Sequence, residues 1–252
     1  MRVGLIRVMT TSDRRLLHAH GKLLQETFGF TVTSRSIPDQ PHGVYDEASL
    51  LAAAPKVVEL AREMAEEADA LIISCASEPG LAEARALVGI PVIGAGSAAA
   101  AAALAFGGRV GVLGLRHQVP APVSQLLGER MVLIDGPESV ETPDAFLMPT
   151  GIFDALAAAQ MLIDAGADVI VQASAGLSSI GMAEVLRRKL GVPVIDASQP
   201  PDPCSFRPSQ PGSCRRSDPW EASVKAALRL QRRLPRLVGL SRPRFRTPGL
   251  QQ

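Results

Sequence analysis

Short apolar runs recur along the first two hundred residues: Val3–Ile6, Ala70–Ile73, Ile90–Ile93, Val110–Leu113, Val169–Val171 and Val192–Ile195. They are rich in β-branched residues and do not alternate with polar ones. Strands covered on both faces by helices read this way, and such strands are parallel. The segments between them are long enough to hold the helical crossovers that parallel strands require. The pattern predicts strands at 2–8, 31–36, 70–74 and 91–94, with helices at 13–28, 48–66 and 79–88. It predicts strands at 109–114, 131–135, 168–173 and 193–196, with helices at 119–128, 151–165 and 179–189.

The two series are copies of one another. Ala68-Asp69-Ala70-Leu71-Ile72-Ile73-Ser74-Cys75-Ala76 matches Ala167-Asp168-Val169-Ile170-Val171-Gln172-Ala173-Ser174-Ala175, so that Cys75 falls on Ser174. Gly89-Ile90-Pro91-Val92-Ile93 matches Gly191-Val192-Pro193-Val194-Ile195, and Arg2-Val3-Gly4-Leu5-Ile6 matches Arg109-Val110-Gly111-Val112-Leu113. Three matched segments in one order point to a duplicated unit. The fold expected is α/β: two pseudo-symmetric doubly wound lobes, 1–105 and 106–199, with parallel sheets and an interlobe cleft.

Composition narrows the function. Forty-six per cent of the 252 residues are hydrophobic and the net charge is +1, which supports a packed core and excludes a globally basic nucleic-acid binder. Aromatics make up only 4%, too few for base-stacking platforms. Three Cys argue against a disulfide framework and for a reducing compartment, so a cytoplasmic location is expected. The uncharged stretch Leu87–Gly108 holds five Gly and a Pro and reads as a strand, a turn and an Ala-rich helix rather than a membrane span.

Parallel α/β sheets bind ligands at the carboxyl ends of their strands, and two facing lobes place that ligand between them. Cys75 stands at such an end. Backbone N–H groups and a helix N-terminus after it are expected to lower its pKa and favour thiolate; the alternative is an inert core cysteine. Ser174 occupies the equivalent place in the second lobe, so the two residues can address opposite faces of one substrate carbon. Arg7, charged within an apolar strand, can hold a substrate carboxylate or pair with Asp39 or Asp46. Thr11 and Ser12 can donate to a carboxylate or cap the helix near Asp13. The loop Ile37–Asp46, with the chain's only Tyr, can close over the cleft, but reads first as a plain polar connection. His18 and His20 have no complementary metal ligands nearby and read as surface or core residues.

Cys75-Ala76-Ser77-Glu78-Pro79-Gly80-Leu81 resembles the Cys-x-Gly-Asp-Pro-Gly-Leu segment of hydantoin racemases. Pro91-Val92-Ile93-Gly94 through Gly107-Gly108-Arg109-Val110-Gly111-Val112 resembles the strand, small-residue helix and Gly-Gly entry to the second lobe in the cofactor-independent aspartate/glutamate/hydantoin racemase superfamily. Ser174-Ala175-Gly176-Leu177 is similar to that family's second Cys-Ala-Gly-Met site. The resemblance covers residues 1–198. It implies inversion at a carbon next to a carboxyl or carbonyl, without pyridoxal phosphate, other cofactor or metal. Cys75 and Ser174 would be the catalytic pair, with Arg7, Thr11, Ser12, Ala76, Ser77, His117, Ala175 and Gly176 binding a small molecule that bears a carboxylate or cyclic amide. No nucleic-acid or membrane partner is expected, and a homo-oligomer is compatible with the reading. Two departures stand out. Serine replaces the second cysteine, with His117 as its candidate partner, and Val8-Met9-Thr10-Thr11-Ser12 replaces an Asn-Pro-Asn-Thr-Ser-like loop. One reactive cysteine would also serve a cis–trans isomerase, a decarboxylase or a non-catalytic binder.

A rival motif is Gly94-x-Gly96-x-x-Ala99, which follows a strand and opens a helix like a dinucleotide fingerprint, with Arg116 downstream as a possible cation for a phosphate. From Pro200 the composition shifts: nine of the 20 Pro and eleven basic against three acidic residues give the segment a net charge of +8. Residues 200–252, with Cys204 and Cys214, are expected to be largely disordered with one helix at 220–234.

Overall fold

The computed structural model describes residues 1–197, so Cys204, Cys214 and the expected helix at 220–234 lie outside the described residues. The first half comprises β1 (Arg2–Arg7), α1 (Arg14–Phe28), β2 (Thr31–Ser36), α2 (Glu47–Met64), β3 (Ala70–Ser74), α3 (Leu81–Leu87), β4 (Val92–Gly94) and α4 (Ala95–Leu104). The second comprises β5 (Val110–Leu113), α5 (Ala121–Leu127), β6 (Met131–Val132), α6 (Pro149–Asp164), β7 (Val169–Gln172), α7 (Ala175–Ser179), α8 (Met182–Leu190) and β8 (Val194–Asp196). Two four-stranded sheets form, ordered β2-β1-β3-β4 and β6-β5-β7-β8, and every pairing is parallel. The two orders are the same when read as first-to-fourth strand. The α/β class and the paired sheets expected from the sequence are therefore present.

Side-chain devices repeat along with the topology. The Asp69 carboxylate accepts the Arg2 N–H at 2.8 Å, and the Asp168 carboxylate accepts the Arg109 N–H at 2.8 Å, closing the start of each central strand pair. Arg85 Nε donates to the Val92 carbonyl at 2.9 Å, as Arg187 Nε does to Val194 at 3.1 Å, tying each last helix to the edge strand after it. Gly80 and Gly181, both left-handed, precede those helices at φ 68° and 66°. Each lobe has its own core, one around Leu71, Ile73 and Val57, the other around Phe146, Leu162 and Ile170.

Three element boundaries depart from expectation. The strand expected at 131–135 stops at Val132, because the Asp135 and Val140 carbonyls accept the His117 and Arg116 N–H groups instead of joining a ladder. The helix expected at 179–189 begins at Met182, after Gly181, and a short helix that was not expected, α7, precedes it. The helix expected at 79–88 begins at Leu81, after Gly80. The uncharged stretch 87–108 divides into β4 and α4 as expected. Among the described residues no helix is long and apolar enough to cross a membrane. With its small side chains, α4 packs against β3 and β4 and also against α5, β7 and β8.

A charge-assisted hydrogen bond to a half-buried carbonyl contributes about 1.5–3 kcal/mol. Arg85→Ala and Arg187→Ala are each expected to lower unfolding stability by about that amount, read as a shift in the urea midpoint.

Candidate functional site

The carboxyl ends of the central strands of both sheets open on one cavity of about 440 Å³. Arg7–Met9 follow β1 into it, Ser74–Ser77 follow β3, and Ala173–Ala175 follow β7. Leu115 and the segment 117–121 close it beyond β5. Cys75 and Ser174, the residues matched by the internal repeat, thus line the same space, with Arg7, Ala76, Ser77, His117 and Ala175. Thr11, Ser12 and Gly176 do not line it. Thr11 Oγ1 accepts the Asp13 N–H at 3.1 Å and Asp13 caps α1, so the polar run after β1 serves the helix start. Gly176 gives its N–H to Ser174 Oγ, and a Cβ there would meet the Pro143 carbonyl at 2.0 Å.

Cys75 does not sit on a helix N-terminus. Five residues separate it from the start of α3, across turns in which Glu78 adopts φ 52°. Burial raises the thiol above its ordinary range, while N–H groups of Ser77 and Glu78 pull it the other way. The lowering expected from a helix dipole is absent because the helix starts too late. Ser174, in contrast, is the N-cap of α7, and its Oγ accepts the Gly176 N–H at 3.3 Å.

Arg7 pairs with neither Asp39 nor Asp46. It is 1% exposed; Nη1 donates to His20 Nδ1 at 2.6 Å, and Nη2 donates to Ser179 Oγ at 3.3 Å in the opposite lobe. Burial lowers its pKa to about 10, against the charges of Cys75 and Asp196, so it remains a cation at neutral pH. His20 Nδ1 is also 2.7 Å from the Ser74 hydroxyl. Arginine cannot accept a hydrogen bond, so Nδ1 is the lone-pair nitrogen and the ring is neutral. Burial, then the Arg7 charge, holds its pKa well below the usual histidine range. Asp196, buried at the end of β8, accepts from the Ser178 hydroxyl.

His117 Nδ1 lies 2.5 Å from Asp135 Oδ1, with φ 55° at the histidine, and no hydrogen bond joins it to Ser174. The loop 37–46 is not a plain connection. Gly43, Val44 and Asp46 wall the cavity, His42 Nδ1 reaches Asp144 at 3.2 Å in the second lobe, and Tyr45 packs against the second core. Gly94-x-Gly96-x-x-Ala99 holds no phosphate pocket. The Glu78 carboxylate fills the α4 N-terminus, accepting the Ser97 N–H at 2.5 Å, and a Cβ on Gly94 would lie 2.2 Å from it. Gly96 instead lets Ala76 approach: a Cβ there would meet the Ala76 carbonyl at 2.1 Å. Arg116 faces Glu138 and Asp135.

Two parallel α/β lobes of the same topology thus place a cysteine and a serine, at matching strand ends, in one cavity. Residues 9–199 match the Asp/Glu/Hydantoin racemase family, and the chain belongs to it. No curated protein matches the chain in sequence. Among solved structures, allantoin racemase from Pseudomonas fluorescens is similar at TM-score 0.68 and 20% identity, covering 100% of this chain and 99% of that one. Allantoin racemase from Klebsiella pneumoniae gives 0.65 and 20%, covering 86% and 97%. A mutant of the Nocardia farcinica maleate cis-trans isomerase gives 0.56 and 18%, covering 78% and 87%. At these identities the likeness is one of fold.

A histidine kept neutral by the fold makes stability pH-dependent. Below the unfolded value near 6.5, the unfolded chain binds a proton that folded His20 refuses, so stability falls as pH drops through that value. The unfolding free energy from urea titration is expected to decline from pH 7.5 to 5.5 by up to about 1.4 kcal/mol per pH unit for this group. His20→Asn, whose amide oxygen can accept from Arg7, is expected to show a flatter dependence.

Proposed function

We propose that the protein is a cofactor-independent racemase or epimerase acting on a carbon next to a carboxyl or carbonyl, in an amino acid or a hydantoin-type ring. Family membership supports an isomerase-type chemistry. The observation that carries the finer reading is that Cys75 and Ser174, on equivalent strand ends, line one cavity. In this reading the Cys75 thiolate removes the substrate proton, and the carbanion accepts the Ser174 hydroxyl proton on its other face; the serine oxygen then takes a proton from water and the Cys75 thiol gives one up to water, which restores both groups. Ala76, Ser77, Ala175 and His117 line the cavity beside this pair and would contact the substrate carboxylate or ring carbonyl.

One observation favours a second reading, chemistry at a single thiol. Among the described residues no basic side chain is hydrogen-bonded to Ser174; its Oγ accepts from Gly176, and His117 is turned to Asp135. A serine hydroxyl without a base is a poor proton acceptor. The maleate cis-trans isomerase neighbour, a Cys-to-Ser mutant, carries a covalently bound succinylcysteine intermediate. Cis–trans isomerisation by thiol addition, or decarboxylation with protonation from one side, needs only Cys75.

The test is incubation with a panel of chiral amino acids and hydantoins, allantoin included, in heavy water, followed by proton NMR and chiral chromatography. Inversion with incorporation of deuterium at the inverted carbon is expected. Cys75→Ala should reduce turnover by at least about a thousandfold, within the range a general base contributes. Ser174→Ala should suppress inversion while leaving exchange with retention on the Cys75 face. Full activity in folded Cys75→Ala overturns the proposal. Turnover of an unsaturated diacid or a malonate without exchange of an α-hydrogen selects the single-thiol reading.

A further inference from the structure

The segment that carries Cys75 belongs to no helix or strand. Between the end of β3 at Ser74 and the start of α3 at Leu81 the chain makes tight turns. Within them the Glu78 N–H donates to the Cys75 carbonyl and the Leu81 N–H to the Glu78 carbonyl, each at 3.2 Å. Glu78, common to both bonds, is left-handed at φ 52°, a conformation that a long side chain seldom adopts. The acid is also 7% exposed, so a charged group is held out of water in a backbone shape it does not favour. What compensates is the N-terminus of α4. The carboxylate lies there and accepts the Ser97 N–H at 2.5 Å, where free backbone donors and the helix dipole favour a negative charge.

The junction of β4 and α4 is shaped to receive this turn at two points. A Cβ on Gly94 would lie 2.2 Å from the Glu78 carboxylate, and a Cβ on Gly96 would meet the Ala76 carbonyl at 2.1 Å. The two contacts flank Ser77. Cys75, Ala76 and Ser77 line the cavity and Glu78 does not, so the glutamate holds the cavity wall from behind. The second lobe ties down the segment after Ser174 by the opposite arrangement. Gly94 pairs with Ile73 and Asp196 with Gln172, which makes Gly94 and Asp196 equivalent positions of the two last strands. In lobe two the carboxylate stands on the strand and the Ser178 hydroxyl donates to it. In lobe one the strand has glycine and the carboxylate comes from the turn. A buried acid thus fastens the segment after the strand-end residue in both halves, although its origin in the chain differs.

We infer that Glu78 is a positioning residue: its carboxylate, hydrogen-bonded at the N-terminus of α4, locks the Cys75 turn in the shape that presents the sulfur to the cavity. The inference rests on the reading of Cys75 as the reacting residue, and concerns what keeps that residue in one place.

The test compares the rates at which Cys75 reacts with a small and a bulky thiol reagent, iodoacetamide and fluorescein maleimide, at one pH in the full chain. The Cys75 peptide is resolved from Cys204 and Cys214 by mass spectrometry, and circular dichroism confirms folding. Both reagents attack the thiolate, so the bulky-to-small ratio cancels the thiolate fraction and reports the room around the sulfur. Loss of a charge-assisted hydrogen bond from the closed turn shifts its opening about tenfold or more, and Glu78→Ala should raise the ratio by that factor. Glu78→Gly, in which the left-handed backbone is unstrained, should do the same, because the anchor and not the angle is lost. Glu78→Gln, whose amide oxygen still accepts from Ser97, should stay within about threefold of wild type. Arg85→Ala, which weakens the same lobe through the α3–β4 contact, should leave the ratio unchanged.

An unchanged ratio in folded Glu78→Ala or Glu78→Gly overturns the inference. So does an equal rise in Arg85→Ala, which would mean general loosening of the lobe, or in Glu78→Gln, in which the acceptor is retained. Should the alanine and glycine variants not fold, Ser97→Pro removes the same hydrogen bond from the donor side, at a first-turn position that tolerates proline. A raised ratio there supports the role and an unchanged one overturns it. The thiol is read without substrate, so full activity in Cys75→Ala would end the racemase reading while a raised ratio in Glu78→Ala left this one standing.

Discussion

A guanidinium that water does not reach is the constraint around which this cavity is arranged. Arg7 ends a strand whose preceding residues are apolar, at the level where the ladder with β3 gives way to the Cys75 turn. Keeping it charged there requires acceptors already in place, and one lobe does not supply them all. Lobe one contributes an imidazole forced to stay neutral; lobe two contributes a hydroxyl and the nearby carboxylate of Asp196. The relative placement of the lobes and the protonation state of a buried histidine are therefore linked. A proton on His20 would place two positive charges within hydrogen-bond distance of each other, away from solvent.

Duplication explains what is alike in the halves, and the cavity explains what differs. The devices at the amino ends of the strands, Asp69 on Arg2 and Asp168 on Arg109, remain matched, as do the arginines that tie α3 and α8 to the strands beyond them. These contacts lie away from the cleft and maintain each lobe separately. At the carboxyl ends the copies have diverged. Extra residues in lobe two between the strand end and the helix turn a pair of tight turns into α7, which presents Ser179 to Arg7 and Ser178 to Asp196. Lobe one keeps tight turns there and uses a buried glutamate to cap α4.

Much of this was legible in the sequence because burial on both faces leaves an unmistakable mark. Continuous apolar runs such as Ala70–Ile73 and Val169–Val171 locate central strands to within a residue or two, and their near-identity revealed the duplication. The same runs led to Cys75 and Ser174, since strand ends are where parallel sheets expose backbone donors. The cleft network was not legible. His20 lies in a helix with no pattern to distinguish it, and only the approach of α1 to β2, allowed by Gly21, brings its ring to Arg7. A Cβ on Gly21 would fall 2.5 Å from Ser34 Oγ. The glycines of Gly94-x-Gly96 misled for a related reason: glycine marks a close approach without saying what approaches. Here it is a carboxylate and a carbonyl of the neighbouring turn. The short helix α7 is not legible for a different reason: its five residues, Ala175–Ser179, are too few to show a helical period, and the backbone turns left-handed at Gly181 before α8 begins.

The asymmetry between sulfur and oxygen sets the character of the site. Two thiols at matching strand ends could exchange roles, each serving as acid for one enantiomer and base for the other. A thiol facing a hydroxyl cannot, because the hydroxyl releases a proton far less readily and an alkoxide left behind is costly without a base beside it. The structural responses to that asymmetry are also one-sided. The cation lies beside the Cys75 turn, the Ser74 hydroxyl and His20 tie that turn to the cation, and Ser174 is tied to the start of α7 by a backbone N–H. A site in which only one half can readily carry negative charge is biased toward reactions that begin or end at that half. On the proposed reading of the site, proton traffic on the Cys75 face, rather than the symmetry of the scaffold, governs which chemistry the cavity supports.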